Sequence, residues 1–342
     1  MSSSGSTATG GAVAVETGGT TSAASGGSPG GSAGATPDEP VTVRSDHPRN
    51  TDPAIGAAEY AEFIDGINQF AFDLFHGLAE DDNLLYSPLS TSYALGMTYA
   101  GARENTAAEM RAALRVTVSD EELHAGFNQL ALELATRPRE PEQTNDGEKS
   151  VDLELLDEVF AQTGYDIVPG FLDTMAEEYG AGLQLLDFYA APEPSRGFIN
   201  DWVAEQTRDR IVDLIPAGVI TSVTRLVLVN TLTLNASWEH PFPRESTGDG
   251  TFHTLAGNDV AVPMMHGLSI RPYVAGTNYE MVDLPYFGDE LFMTIVLPAQ
   301  GSFDAVRDAL SVEWLQQARS GMALTPTTVT LPRFQFTWGD SL

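Results

Sequence analysis

The most constraining feature of this sequence is a long alternating segment, Thr224 to Trp238, which predicts a β-strand. Leucines occupy positions 226, 228, 232 and 234 on one face, and Asn230 interrupts them. An amide buried without a hydrogen-bond partner costs about 1 to 3 kcal/mol, so we expect a partner beneath the sheet. Ser87 and Ser90, at the start of a predicted helix, are the candidates. Asn230 is then either a satisfied core asparagine with no role beyond packing, or a polar latch that holds two strands in one of two arrangements.

Helical periodicity predicts several helices before this strand. Apolar residues recur at i, i+3, i+4 and i+7 from Tyr60 to Leu78. Ser87 and Pro88 supply an N-cap hydroxyl and a first-turn proline to the next helix. Because these helices lead into long antiparallel strands without a βαβ repeat, we predict an α+β fold with one domain over residues 59–342. Further helices are predicted at 171–179 and 195–211, and further strands at 151–162, 281–286, 291–297 and 327–338.

Residues 1–58 differ in composition from the rest of the chain. They are rich in Gly, Ser and Thr, and no aromatic residue precedes Tyr60. Such a segment buries too little apolar area to offset the entropy of ordering it, so we expect a disordered tether. It has no basic segment followed by an apolar one, so as written it is not a secretory signal. It is similar to the spacer of a surface-anchored protein, which favours an extracellular or cell-surface location; a disordered cytoplasmic tail is the alternative.

The charge balance argues against two classes of partner. Lys and Arg number 17 against 48 Asp and Glu, a net charge of −31. Nucleic acids and anionic membranes both require a basic face, and no apolar run approaches the roughly 18 residues of a transmembrane helix. There is no cysteine, which excludes thiolate metal sites and cysteine nucleophiles. The acidic, arginine-dominated composition favours a salt-adapted, halophilic source, with an ordinary acidic surface as the alternative.

Sequence motifs of enzymatic chemistry are missing. The sequence has no H-E-x-x-H, G-x-S-x-G, P-loop or G-x-G-x-x-G motif, and its six histidines form no metal-binding pair on one helix. Glu239 and His240, near His253, are better interpreted as solvated loop residues. We therefore expect a protein that is not an enzyme and that needs no cofactor or metal.

Five stretches share their order and spacing with one known family. They are NLLYSPLS at 83–90, GARENTAAEM at 101–110, INDWV at 199–203, TRLVLVNTL at 224–232 and VPMM at 262–265. Together they resemble the serpin family of serine protease inhibitors from about residue 60 onward. The resemblance implies the serpin fold, in which helices surround a large central sheet accompanied by further sheets.

The resemblance also implies roles for particular residues. By it, Ser87, Ser90 and Asn230 correspond to the shutter beneath the central sheet, and Trp238 corresponds to the breach at the upper end of that sheet. The predicted helix at 171–179 resembles part of the helix that lies across the sheet and is displaced when a strand enters.

Serpins trap proteases by a suicide mechanism. An exposed reactive loop is cleaved, inserts into the sheet as a new strand and carries the acyl-enzyme with it, a case of strand addition driven by stored strain. The implied partners are serine proteases, with cysteine proteases as a further class, and we expect a monomer.

The sequence departs from the family at its end. It stops at Leu342, soon after the predicted strand at 327–338, whereas the family continues through the hinge strand, the reactive loop and the last strands. We therefore interpret the chain as C-terminally truncated, with no reactive loop, and expect it not to inhibit in this form. The alternatives are a non-inhibitory serpin that acts as a binding or chaperone-like protein, and an inactive remnant.

Overall fold

The computed structural model describes residues 5–16, 41–78 and 83–335, and of residues 5–16 the backbone only. Helices predominate in the first half of the chain and strands in the second. The helices are α1 Ala57–Leu78, α2 Pro88–Gly101, α3 Glu104–Ala113, α4 Asp120–Leu134, α5 Pro169–Thr174 with a continuing π-turn Met175–Tyr179, α6 Pro192–Gln206, α7 Phe303–Ala309 and α8 Val312–Ser320.

The strands form two sheets. The first has the order β1-β6-β4-β5-β2, with β3 paired to β4, and the second has the order β10-β9-β8-β11, with β7 paired to β8. The strands are β1 Gly5–Glu16, β2 Val41–Val43, β3 Arg139–Thr144, β4 Gly147–Gln162, β5 Leu183–Leu186, β6 Thr224–Ala236, β7 Gly248–His253, β8 Asp259–Ala275, β9 Tyr279–Pro285, β10 Phe292–Pro298 and β11 Ala323–Pro332.

Both faces of the first sheet are covered, which explains why β6 is apolar in both phases. Leu228 of β6 and Val159 of β4 pack with α1, α2 and α4 in one cluster. Val227 and Val229 of β6 pack with Phe160 of β4 and with α6 on the opposite face. Since side chains alternate between the faces of a strand, β4 and β6 each contribute to two cores. This arrangement confirms the predicted α+β fold.

The helix that lies across the sheet is α6, not the segment at 171–179. Ile199 and Val203 of α6 are buried against the β6 face that carries Val227. Met175 and Tyr179 instead belong to the cluster formed with α2 and α4, on the other face. The expectation for 171–179, which came from the resemblance, is therefore wrong, because this segment packs on the face of α2 and α4 and α6 covers the opposite face.

The N-terminal segment differs from the predicted tether at two places. β1 pairs antiparallel with β6 from Gly5↔Ala236 onward, and β2 pairs with β5. Residues following β2 also contact the helical face, where Arg49 donates to Asn128. Strand pairing uses the backbone, so a segment poor in apolar side chains can still extend a sheet. Residues 17–40, the middle of the predicted tether, lie outside the described residues.

Several predicted elements are confirmed. The predicted strands at 281–286 and 291–297 correspond to β9 and β10, which pair as an antiparallel hairpin. Ser87 caps α2 by accepting a hydrogen bond from the Ser90 backbone. The strand predicted at 327–338 begins earlier, as β11, and ends at Pro332. Residues 336–338 of that prediction lie outside the described residues.

Candidate functional site

Asn230 lies at the middle of β6, on the face that packs against α2. Its side chain is fully buried, at 0% relative exposure. The amide Nδ2 donates to Oδ1 of Asp157 on β4 at 2.5 Å, and the two residues are direct cross-strand partners. The amide oxygen, Oδ1 of Asn230, has no hydrogen-bond partner among the described residues. The polar residue in the leucine face is therefore half satisfied, by a residue that sequence reasoning did not identify.

Asp157 is the unexpected member of this site. It lies within β4 on the face that carries Val159, inside an otherwise apolar region. Burial raises the pKa of the Asp157 carboxyl to about 7, although the hydrogen bond from Asn230 and the charge of Arg49 act in the opposite direction. The alternation of β4 could have identified Asp157, because the other odd-numbered residues of this stretch, 151, 153, 155, 159 and 161, are all apolar and share its face.

The two serines of the predicted shutter form a separate pair. Ser87 Oγ donates to Ser90 Oγ at 2.9 Å, and Ser87 Oγ also accepts from the Ser90 backbone N–H at 3.2 Å. Ser90 is buried, at 3% relative exposure. Asn230 bonds to Asp157 rather than to either hydroxyl. The structure thus brings Ser87 and Ser90 together and leaves Asn230 in a second pair.

Trp238 stands where the two sheets meet. Its ring stacks on Tyr286 with centroids 4.5 Å apart and an interplanar angle of 10°, and Phe242 meets its edge at 6.4 Å. An isolated antiparallel bridge joins the backbones of Trp238 and Tyr286. Trp238 packs against one cluster with Ala236 and against another with Leu284. It therefore closes one end of β6 against the second sheet.

The edge of β6 opposite to β4 accepts a further strand. β1 pairs with it antiparallel over the whole span from Gly5↔Ala236 to Glu16↔Thr224, with one irregularity next to Glu16. The register places Gly11 opposite Asn230. The Asp157–Asn230 pair and the added strand therefore lie on opposite edges of β6.

The described residues provide neither a metal site nor a membrane span. They contain no group of three or more His, Asp or Glu side chains arranged to hold a metal ion. No helix within the described ranges is both long and apolar enough to cross a bilayer. His253, which the sequence does not favour as a site residue, pairs with Asp259 at 2.6 Å across the exposed β7–β8 hairpin.

Several relatives resemble this chain in sequence. An uncharacterized serpin-like protein of Thermococcus kodakarensis is 34% identical over 274 residues, covering 80% of this chain and 62% of the relative. The leukocyte elastase inhibitor of Bos taurus is 34% identical, covering 78% of this chain and 71% of the relative. Antithrombin-III of Mus musculus is 33% identical, covering 80% and 59% respectively. The chain thus spans between 59% and 71% of the length of these relatives.

Solved structures give the same assignment of fold. Emu ovalbumin superposes with a TM-score of 0.72 at 26% identity, covering 79% of this chain and 73% of ovalbumin. A structure described as cleaved Serpin 42Da superposes with a TM-score of 0.71 at 26% identity, covering 81% and 72%. A family model described as Serpin (serine protease inhibitor) matches residues 65–342. The chain therefore belongs to the serpin family.

Proposed function

We propose that this protein is a protease inhibitor of the serpin type, and not an enzyme. The family description names serine protease inhibitors, and the relatives include proteins named leukocyte elastase inhibitor and antithrombin-III. The partners of this protein are then serine proteases. Its extracellular location, monomeric state and adaptation to salt stay predictions from the sequence.

The observation that carries this proposal is the pairing of β1 with β6. Twelve residues of β1 pair along almost the whole of β6, although the two segments are more than 200 positions apart. Serpin inhibition requires the central sheet to accept an added strand, a form of β-strand addition in which backbone hydrogen bonds supply the affinity. The edge of β6 that pairs with β1, with α6 on one face of the sheet and α2 on the other, supplies such an acceptor.

The buried polar groups fit a sheet that is not fully stabilised. Asn230 Oδ1 has no partner in the described part of the chain, and an unsatisfied buried acceptor costs about 1 to 3 kcal/mol. Asp157 beside it is a carboxyl placed in an apolar region. We propose that Asn230 and Asp157, with Ser87 and Ser90 on α2, form the shutter of this serpin, and that Trp238 forms its breach.

The test uses the longest natural protein that contains this chain. It is incubated with chymotrypsin-like and elastase-like proteases, and a covalent complex that survives SDS is expected. Protease whose catalytic serine is blocked is the control, because it cannot form an acyl-enzyme. Cleavage of the protein without a stable complex would contradict inhibition and favour a non-inhibitory, binding serpin.

The shutter is tested separately on the same protein. Asn230→Ala is compared with Asn235→Ala. Asn235 is a second asparagine of β6 whose Oδ1 also has no partner in the described part of the chain, and its side chain points to the opposite face. We expect Asn230→Ala to change the rate of conversion to a strand-inserted form several-fold, and Asn235→Ala to leave it unchanged. Equal effects of the two substitutions would remove Asn230 from the shutter. Conversion is followed by the rise in resistance to thermal unfolding.

A further inference from the structure

A pocket on the second sheet lies apart from the β6 site. It has a volume of about 390 Å³ and lies between β8, β11 and the segment that follows β6. Its lining includes the exposed side chains of His240, His266, Ser246 and Thr328, and the buried side chain of Arg271. All five side chains carry hydrogen-bond donors. The pocket therefore has a polar rim and a buried cation in its wall.

Arg271 is the unusual member of this pocket. It is 2% exposed, yet its Nε has no partner among the described residues. Its Nη1 reaches only the backbone carbonyl oxygens of Gly267 and Thr327, at 3.3 and 3.4 Å. Both distances exceed the usual range for an N–H···O bond. The guanidinium also faces the ring of Phe242 at 5.8 Å, a contact that carries no negative charge.

No carboxylate of the described residues pairs with Arg271, although acids outnumber basic residues 48 to 17 in the sequence. Arg319 of α8, which contacts the same sheet, gives a comparison. Arg319 is more exposed than Arg271 and still pairs with the buried carboxyl of Asp283 at 3.3 Å. Buried charges in proteins are paired or bind a counter-charge, because an isolated charge in the interior is strongly unfavourable. Burial correspondingly lowers the pKa of Arg271.

We propose that this pocket is an oxyanion-binding site for a small molecule that carries a phosphate or carboxylate group, with Arg271 as its principal ligand. The guanidinium offers a fork of donors that matches these groups in geometry and charge. His240 and His266 stand at the rim as further donors; His266 uses Nδ1 in its contact with Thr330 at 3.0 Å, which leaves Nε2 for the pocket. The volume exceeds that of a bare ion, so an organic anion fits. The proposal does not depend on protease inhibition.

The proposal predicts anion-specific stabilisation of the unmodified protein. Phosphate and acetate are each compared with chloride at equal ionic strength near 0.15 M, where the repulsion from the net charge of −31 is screened. A ligand that binds only the folded state raises the unfolding temperature. We expect phosphate or acetate to raise Tm and to give a saturable heat in titration calorimetry, while chloride does neither. Which of the two binds more tightly identifies the chemical group. No saturable binding of either anion would overturn the proposal.

Arg271→Met and Arg225→Met test the residue itself. Arg225 is a matched control, because it also bonds two backbone carbonyl oxygens and faces an aromatic ring at 5.8 Å but does not line the pocket. Arg271→Met is expected to weaken anion binding at least about tenfold, the effect of losing about 1.4 kcal/mol, whereas Arg225→Met preserves it. An equal loss in both variants would overturn the assignment. If Arg271→Met does not fold, Arg271→Lys, which keeps the charge but loses the fork, is expected to weaken binding measurably.

Discussion

Replacing Asp157 by asparagine tests the physical account of the polar pair between β4 and β6. The pKa of the Asp157 carboxyl is about 7 in the folded protein, against 3.8 for an ordinary aspartate. Between these values the folded state holds a proton that the unfolded state releases. Stability supplied by this proton is therefore full below about pH 4 and is lost as the pH rises through about 7.

The magnitude follows from the size of this shift. Each pKa unit corresponds to about 1.4 kcal/mol, so a shift of roughly three units corresponds to about 4 kcal/mol. Because Asp157 as a whole residue is of intermediate exposure although its carboxyl is buried, we expect a realised difference on the order of 2 kcal/mol. The asparagine side chain cannot ionise, and its NH₂ adds a donor on the cross-strand neighbour of Asn230, whose Oδ1 lacks a partner among the described residues.

The assay is denaturant unfolding of the wild type and Asp157→Asn at pH 5, 6, 7 and 8. We expect similar free energies of unfolding at pH 5 and a variant that is more stable by about 2 kcal/mol at pH 8. Asp152→Asn is the control, since Asp152 lies on the same strand but pairs with Arg210 at 2.8 Å. Parallel pH profiles for the wild type and Asp157→Asn would refute the reasoning.

Two further predictions concern other residues of the same architecture. Burial lowers the pKa of His124 to about 4. The unfolded state therefore binds a proton at higher pH than the folded state, and stability is lost as the pH falls from about 6.5 through 4. His124→Gln is expected to reduce this loss in unfolding measured at pH 4 to 7, and an equal loss in the variant and the wild type would contradict it. Trp238→Ala removes a half-buried ring that stacks on Tyr286, and we expect it to lower the free energy of unfolding by about 2 to 4 kcal/mol. Trp314→Ala, which removes the ring packed on Tyr279, is the matched control. A smaller loss of stability in Trp238→Ala than in Trp314→Ala would argue against a role of Trp238 in joining the sheets.

The protonation of His124 and that of Asp157 change the free energy of unfolding in opposite directions with pH, and the measurement must separate them. Between about pH 4 and 6.5, His124 makes the protein more stable as the pH rises, whereas Asp157 makes it less stable. The wild type can therefore show a nearly flat profile even when both shifts are real. The difference between the wild type and each single variant isolates one group, because the other group is present in both proteins.

The sequence predicts the site of Asn230 but not its partner. Strand alternation is a local property, so it identifies a polar residue on the leucine face of β6. The pairing of Asn230 with Asp157 depends on the register between β4 and β6, which are separated by α5 and α6 along the chain. Register is set by the packing of whole strands and by their connections, and neither is encoded in one segment. The hydroxyls of Ser87 and Ser90 are the candidates that the sequence offers, and the structure pairs them with each other.

The sequence does not predict the N-terminal strand β1 either, and the reason is related. Composition predicts whether side chains can form a core, and residues 5–16 contain few that can. Strand addition depends instead on backbone N–H and C=O groups, which nearly every residue has. The edge of β6 can consequently pair with a segment whose own sequence predicts a strand only weakly.

The Asp157–Asn230 bond and the pairing with β1 lie on opposite edges of β6. Asp157 bonds Asn230 across the β4 edge, whereas β1 pairs along the other edge and places Gly11 opposite Asn230. We expect a strand added or removed at the β1 edge to leave the β4–β6 ladder intact, and with it the Asp157–Asn230 bond. The shutter would then act on the rate of conversion, and not on the relative stability of the two states. Asp157→Asn should then stabilise both states equally and leave the yield of protease complex unchanged at pH 8, even where the free energy of unfolding increases. A fall in that yield would mean that β4 and β6 also shift when a strand is added.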